Sequence, residues 1–363
     1  MFSKERLMTI VNTLSEDPVL PQLSIALDPS AMKHVFQDHV GWDGEHPQPI
    51  IDRCDIFHTR YKRGRYCLVC YRLALRGSDS SHMSEQIFCA RMFERGGAVS
   101  RFKKAQSKDL FPPKFGQPLS LIPELDMVVW AFPNDRKLSG LPGLMNQNYL
   151  RNHVLPLIVG THLGKNWEIE TCTPELVHYV GEHTCTIRVS VRLSHTTTAM
   201  DRTQNYFGKT YYNNEGEVAY QAMNELWNSE IRRSGRLLMA QPLWYDKELL
   251  TLWQCGLEGK TLIEHDLTHH DGLQLLKHAA VTVATLHQTS VSCTGSHPLE
   301  EQLELLDPVC TLLAEVQPQC QVLLTRILDC LRAQAPFVAD QPQVTLHGDL
   351  HLQNFFVTPD GVP

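Results

Sequence analysis

Two stretches of the chain alternate between apolar and polar residues in the way that hairpins of β-strands do. Residues 61–75 and 179–193 are rich in β-branched and aromatic side chains, and each is followed by a polar segment and a further strand-like stretch. Farther along, residues 273–287 and 299–333 carry leucine at helical spacing over long distances. The pattern therefore predicts an α+β chain in which β-rich structure precedes helical structure.

The two hairpin segments follow one sequence pattern. Residues 61–75 align with residues 179–193 at an offset of 118, and this offset holds across the polar segment that follows each of them. Four further pairs of positions match at the same offset: Gln86 with Gln204, Phe88 with Tyr206, Arg91 with Lys209, and Phe93 with Tyr211. Because the matches occur in one order, we interpret this region as a duplicated small β-rich lobe.

The chain is predicted to have four parts. Residues 1–49 are expected to form a helical N-terminal segment and a linker, and residues 50–150 the first, degenerate β-rich copy. Residues 170–260 form the second copy, and residues 261–363 a helical region.

Finer features are predicted inside the second copy and the helical region. A helix at residues 217–233 is followed by strands at residues 237–242 and 249–254. Pro308 and Pro318 are expected to interrupt the long C-terminal helices, because proline removes a backbone donor.

The composition narrows the class of protein. Of 363 residues, 33 are Lys or Arg and 40 are Asp or Glu, and the net charge of -7 argues against a protein that neutralises nucleic-acid phosphates. No apolar run reaches the roughly 20 residues of a membrane-spanning helix. The 11 cysteines lack the spacing of a zinc site, which favours small buried side chains in a reducing compartment. We therefore predict a cytoplasmic protein without nucleic-acid or membrane partners.

A dense set of polar residues lies after the helical region, immediately before an apolar stretch. It consists of His347, Gly348 and Asp349, then Asn354, and the apolar residues 355–357 follow. This arrangement resembles the catalytic loop of the aminoglycoside phosphotransferase family, in which H-G-D-x-x-x-x-N precedes an apolar strand. The resemblance implies an α+β, protein-kinase-like fold with a duplicated N-lobe and an incomplete helical C-lobe.

The resemblance also implies a chemistry. The chain would be an ATP-dependent phosphotransferase acting on a hydroxyl of a small molecule such as an aminoglycoside, choline or a sugar, with ATP and Mg²⁺ as cofactors. Asp349 would be the base that accepts the hydroxyl proton, and Asn354 would be a ligand of Mg²⁺. Gly348 would allow a tight backbone, and His347 would pack and hydrogen-bond the loop.

Further residues of the second copy resemble the family's nucleotide-binding positions. Lys209 would bind the α- and β-phosphates, with Glu217 in the following helix as its ion-pair partner and Glu225 as the alternative. The segment from Gln254 to Leu257, which follows a predicted strand, would contact adenine through its backbone groups.

Two other functions stay open on the sequence. One is a nucleotide-binding or interaction protein of kinase-like fold without turnover. The other is a metal-dependent hydrolase, because His347, Asp349 and His351 alternate as zinc ligands can. His269, His270 and Asp271 could supply further ligands to such a site.

The sequence departs from the family pattern in three places. Gly181 is the one glycine in the hairpin that would cover the nucleotide phosphates, and the chain stops at Pro363, before the strand that carries a second metal-binding aspartate in the family. We therefore expect a poor catalyst. The first copy has Arg91 at the lysine position, and Gly96 and Gly97 are expected to interrupt any following acid-bearing helix, so we interpret this copy as a packing or regulatory element.

Overall fold

The computed structural model describes most of the chain, and the chain divides into two compact units. The described residues are 17–40, 49–77, 83–198, 200–292, 295–296, 298–338 and 344–358. The first unit comprises Met1–Pro142, Tyr179–Cys185 and Glu300–Ala333, and the second comprises Gly143–His178, Thr186–Leu299 and Gln334–Pro363. Parts of the predicted N-terminal helical segment and linker, and the end of the chain after Thr358, lie outside the described residues.

A five-stranded antiparallel sheet forms the centre of the first unit. Helix α1 (Pro29–His39) precedes it, and helix α2 (Gly97–Gln106) connects its third and fourth strands. The strands lie in the order β1, β2, β3, β5, β4. Their bounds are Ile50–Lys62 for β1, Tyr66–Arg76 for β2, Met83–Met92 for β3, Leu119–Ile122 for β4 and Met127–Ala131 for β5.

A second five-stranded sheet has the same strand order, β6, β7, β8, β10, β9. Helix α3 (Leu155–Leu163) precedes it, and helix α4 (Glu215–Trp227) follows β8 as α2 follows β3. The strands are β6 (Trp167–Val180), β7 (Thr184–His195), β8 (Asp201–Tyr211), β9 (Pro242–Asp246) and β10 (Thr251–Cys255). Strands β7 and β8 begin 118 residues after β2 and β3, so the sequence offset coincides with equivalent strand starts.

The remaining elements are mainly helical. They are a two-stranded antiparallel ladder of β11 (Lys260–Thr261) with β12 (Phe356–Val357), and helices α5 (His270–His287), α6 (Leu299–Val316) and α7 (Gln321–Val338). Short helical turns lie at Leu23–Ala26, Pro123–Leu125, Leu141–Leu144, Gln147–Tyr149, Leu150–Val154, Glu230–Arg233, Leu262–Glu264, Pro318–Cys320 and Leu352–Asn354. The predicted α+β class is confirmed. Within the described residues, no helix is long and apolar enough to cross a membrane.

Both faces of the first sheet are buried. On one face, the Phe36 ring of α1 lies 4.9 Å from the Tyr71 ring and 5.5 Å from the Phe88 ring, measured between centroids. On the other face, α2 packs through Ala98 beside Trp130. Strand β2 is accordingly buried along nearly its whole length, as expected of a strand covered on two sides.

Two detailed predictions are wrong. The strand predicted at residues 237–242 lies instead at Pro242–Asp246, because the pairing of Trp244 with Trp253 sets the hairpin register. Pro308 lies inside α6 without ending it, since the leucine-rich flanks have a strong helix propensity. Helix α2 begins at Gly97, because Gly96 with a φ of +76° caps it; as expected, this helix carries no carboxylate. The predicted four-part division of the chain stays a prediction.

Asp17 fixes the turn between β1 and β2, and its replacement is expected to weaken the first unit. Its carboxylate accepts hydrogen bonds from Tyr61 Oη (2.7 Å), Gly64 N (2.7 Å) and Val19 N (2.9 Å). Burial opposes ionisation, but these donors together hold the pKa of Asp17 below its ordinary value. Asp17→Asn should lower the free energy of unfolding at pH 7 by about 1–3 kcal/mol.

The pH dependence provides the check on this prediction. Because the folded-state pKa is depressed, the stabilisation by Asp17 is present above the unfolded-state pKa of about 3.9 and is lost as the pH falls through the folded-state value. Urea unfolding of the wild type and Asp17→Asn should therefore differ at pH 7, and the difference should be smaller at pH 3. An equal difference at both pH values would contradict the role of the carboxylate.

Candidate functional site

The polar loop before β12 presents a carboxylate and an amide close together. Gly348 has a φ of +83°, a left-handed conformation that glycine adopts without steric cost. The Asp349 side chain that follows is 88% exposed. Asn354 Nδ2 donates a hydrogen bond to the backbone oxygen of Asp349 at 2.6 Å. This bond fixes the orientation of the amide and leaves Oδ1 of Asn354 as an oxygen ligand for a hard cation.

The loop is anchored to the segment that follows β10. Strand β12 pairs with β11, with Val357 opposite Lys260, and Leu262 N donates to Phe355 O at 2.9 Å. Gly259 faces this ladder, and a Cβ there would clash with the carbonyl of Val357. The C-terminal end of the loop is therefore anchored by this ladder.

The two histidines of the loop do not form a metal centre. His347 is exposed, and His351 Nε2 lies 3.9 Å from Asp349 Oδ2. Within the described ranges, no three His, Cys, Asp or Glu side chains converge as metal ligands. The geometry of this loop therefore gives the hydrolase interpretation no support.

Lys209 lies near the end of β8, opposite Leu252 of β10. Its side chain is exposed, and its Nζ lies 5.2 Å from the centroid of the Tyr211 ring. Burial raises the pKa of Tyr211 to about 12, so its ring stays neutral at physiological pH. The ammonium group thus has an aromatic neighbour and open space for an anionic ligand.

The predicted ion pair between Lys209 and Glu217 is not formed between these two described residues. Glu217 lies in the first turn of α4 and instead binds Lys247, which follows β9, with an Nζ–Oε1 distance of 2.8 Å. Hydrogen bonding to Glu217 raises the pKa of Lys247. The alternative residue, Glu225, accepts a hydrogen bond from Ser292 N at 2.6 Å. Both carboxylates therefore have other partners in this structure.

Leu257, in the segment after β10, presents a backbone N–H group to solvent. Cys255 N donates to Gln241 O (3.0 Å), and Gly256 N donates to Asn205 O (2.8 Å). Leu257 is exposed, and among the described residues no acceptor lies opposite its N–H. Of the predicted adenine-contacting residues, Leu257 therefore offers a free donor, whereas Gln254 is half-buried inside β10.

Phe207 is a residue that the sequence analysis did not select. It lies two residues before Lys209 on β8, and alternation along a strand places both side chains on one face of the sheet. A Cβ on Gly256 would lie 3.1 Å from Phe207 Cε2, so the ring reaches the segment after β10. The alternation of side chains along a strand, counted back two residues from Lys209, would have identified Phe207.

Gly181 does not lie in an open loop. It is buried in the turn between β6 and β7, where a Cβ would lie 2.7 Å from Cys70 Sγ and closer still to Cys89 Sγ. The hairpin turn that was expected to cover nucleotide phosphates therefore packs against Cys70 and Cys89 instead.

The structure brings some of the predicted site residues together and leaves others apart. Asp349 and Asn354 are hydrogen-bonded within one loop, and that loop is tied by the β11–β12 ladder to the segment after β10. Lys209 lies on β8 of the same compact unit, and no contact joins it to Asp349 among the described residues.

Comparison with known proteins finds a match for the C-terminal part of the chain. A family model described as the phosphotransferase enzyme family matches residues 219–363, which include Asp349 and Asn354. A solved structure of the streptomycin–ATP ternary complex of APH(2'')-IIa is similar at 16% identity and a TM-score of 0.30, and the match covers 55% of this chain and 65% of that one. No curated protein matches the chain. Over residues 219–363, which are less than half of the chain, the protein is thus similar to the phosphotransferase enzyme family.

Proposed function

We propose that the protein transfers the γ-phosphoryl group of ATP to a hydroxyl of a small molecule, with an aminoglycoside, choline or a sugar as the acceptor class. The observation that carries the proposal is the loop in which the exposed Asp349 carboxylate lies beside the oriented amide of Asn354, inside the residues that match the family model. Phosphoryl transfer needs little covalent help from a protein and much positioning, and this loop is built for positioning.

Asp349 is the proposed general base. Its carboxylate is exposed and follows a glycine in a left-handed conformation, so an acceptor hydroxyl can approach within hydrogen-bonding distance. The carboxylate would orient the hydroxyl and accept its proton as the new O–P bond forms. The backbone bond to Asn354 keeps the loop in place during this step.

Asn354 is the proposed protein ligand of Mg²⁺, which would neutralise charge on the nucleotide phosphates. The donor set fits, because Nδ2 is used within the loop and Oδ1 is an oxygen donor of the kind that this cation prefers. The amide therefore needs no rearrangement to present its oxygen.

The nucleotide would be held by residues of the second sheet. Lys209 would bind the phosphates, Leu257 N would donate to the adenine ring, and the Phe207 ring would pack against the base. Gln254 would contribute through its backbone. An ion pair of Lys209 with Glu217 stays a prediction for the nucleotide-bound protein, because Glu217 would first have to leave Lys247.

One experiment tests the function directly. The purified protein is incubated with Mg²⁺ and ATP and a panel of aminoglycosides, amino alcohols and sugars, and ADP release is measured with and without each acceptor. Acceptor-dependent ADP release is the expected result. Binding of ATP with no release for any acceptor would favour the nucleotide-binding protein without turnover, an alternative that the burial of Gly181 also supports. The cytoplasmic location stays a prediction.

Lys209→Met is expected to weaken ATP binding by about 10- to 100-fold, since hydrogen bonds to a charged partner contribute about 1.5–3 kcal/mol. Isothermal titration calorimetry with ATP in the presence of Mg²⁺ gives the Kd. The matched control is Lys247→Met, which removes another exposed lysine of the same unit but one paired with Glu217. Equal losses of affinity in the two variants would contradict the assignment of Lys209 to the phosphates.

A further inference from the structure

The first sheet has its own equivalent of the proposed nucleotide-binding face. At the sequence offset of 118, Arg91 corresponds to Lys209 and Cys89 corresponds to Phe207, and both sheets have the same strand order. Arg91 and Cys89 lie two residues apart on β3, so their side chains share one face of the sheet.

A buried glutamate lies against this face. Glu182, in the turn between β6 and β7, is 1% exposed and belongs by its contacts to the first unit. Its carboxylate accepts hydrogen bonds from three guanidinium groups: Arg91 Nη1 at 2.5 Å, Arg136 Nε and Nη2 at 2.6 and 2.8 Å, and Arg60 Nη2 at 3.3 Å. Burial alone would raise the pKa of Glu182, but the guanidinium groups, Arg136 foremost, hold it below its ordinary value.

The rest of the turn fits the same face. Gly181 packs on the sulfur atoms of Cys70 and Cys89, with no room for a Cβ. Tyr179 Oη and Glu182 N donate to the same Asp135 oxygen at 2.6 and 2.9 Å. Asp135 comes four residues after the end of β5, on the side of the first sheet's chain where Leu257 follows β10 in the second. The turn thus contacts the equivalents of Lys209 and Phe207, together with a residue of the segment that follows β5.

We propose that the first copy keeps a nucleotide-type cleft that binds a turn of its own chain: residues 179–185 fill the cleft, and the Glu182 carboxylate takes the place of a nucleotide phosphate. The proposal uses the proposed function only for the equivalence of Arg91 with Lys209. Arginine at this position suits a buried carboxylate, because its guanidinium stays charged and donates to Glu182 through Nη1. Arg91 is further held by the Tyr66 ring, 3.7 Å from its Cζ.

The backbone conformation of the turn also supports the proposal. Glu182 adopts a φ of +57°, which a residue with a side chain keeps only where its surroundings impose it. Four guanidinium hydrogen bonds and the Asp135 contact supply that constraint. Glu182 is therefore a positioning residue for the turn.

The proposal is tested by hydrogen exchange across residues 179–185 in the full chain. Glu182→Gln is expected to speed exchange of the turn amides on the order of 10²-fold, because removing one partner of a buried ion pair leaves the arginines without their counter-charge. The control is Glu175→Gln, which removes the exposed ion pair of β6 with Arg188 and should change exchange by less than about twofold.

A second variant tests the fit of the turn without changing any charge. Gly181→Ala places a Cβ against Cys70 and Cys89, and we expect exchange of the turn to rise at least about tenfold as the turn is expelled. Gly160→Ala, which adds a Cβ in open space on α3, should leave it unchanged. If Glu182→Gln fails to fold, Gly181→Ala decides. Wild-type exchange rates in folded Gly181→Ala would overturn the proposal.

Nucleotide stoichiometry separates this proposal from the proposed function. A filled first cleft predicts one ATP per chain, and two ATP per chain would overturn the proposal. No ATP binding at all would contradict the proposed function, while the exchange experiments would still decide whether the turn occupies the first cleft.

Discussion

Asp349→Asn is expected to lower kcat for acceptor phosphorylation by about 10²- to 10⁴-fold, the range that a positioned general base contributes. The asparagine keeps the size of the side chain but cannot accept the hydroxyl proton. Because the Asp349 carboxylate is 88% exposed and its backbone oxygen, not its side chain, binds Asn354, the loop should keep its structure. The Kd for ATP should therefore stay within about twofold of the wild-type value, since no nucleotide contact is assigned to Asp349.

The control for this variant is Asp271→Asn. Asp271 is also an exposed aspartate of the second unit, in the first turn of α5, and it takes no part in the proposed chemistry. Steady-state kinetics on the acceptor identified in the panel should show wild-type kcat for Asp271→Asn. A kcat for Asp349→Asn within about threefold of wild type would remove this residue from the role of base.

Trp253→Ala is expected to lower the free energy of unfolding by about 3–5 kcal/mol, the usual cost of deleting a fully buried aromatic side chain. Trp253 has no exposed surface and lies in β10, between β8 and β9. Its ring covers Gly208, where a Cβ would lie 2.9 Å from ring carbons. Gly208 cannot fill the cavity, because glycine has no side chain to move into it.

Urea unfolding followed by circular dichroism measures this effect. The matched control is Trp167→Ala, since Trp167 is half-buried and its ring packs edge-on against His195 at 4.9 Å. That variant should lose about 1 kcal/mol. Similar losses for the two tryptophans would mean that the Trp253–Gly208 contact does not stabilise the second sheet as proposed.

Local patterns in the sequence predicted the elements that depend on neighbouring residues. Strands β7 and β8 follow from alternation, and the repeat places their equivalents 118 residues earlier. The chemistry of the loop around Asp349 follows from residue types at short spacing. The alternation within each strand, and the residue types of the loop, can be read from segments of about 15 residues, which is the range of periodicity and turn chemistry.

Contacts between distant residues could not be predicted in the same way. Glu217 was expected to pair with Lys209, but Lys247 lies nearer to the start of α4 once β9 is in place. The carboxylate of Glu182 meets Arg60 across 122 positions of sequence, and nothing in either local pattern marks the pair. Such partners depend on tertiary packing, and composition and local spacing do not predict which distant residues meet.

The short ladder of β11 with β12 connects the proposed adenine-binding segment to the loop that carries Asp349 and Asn354. Lys260 and Thr261 come three residues after Leu257, and their partners Phe356 and Val357 come two residues after Asn354. Under the proposed function, a displacement of the backbone at Leu257 would be transmitted through the backbone hydrogen bonds of this ladder to the loop of Asp349 and Asn354. We therefore expect ATP binding to change the position of the Asp349 carboxylate relative to the acceptor hydroxyl.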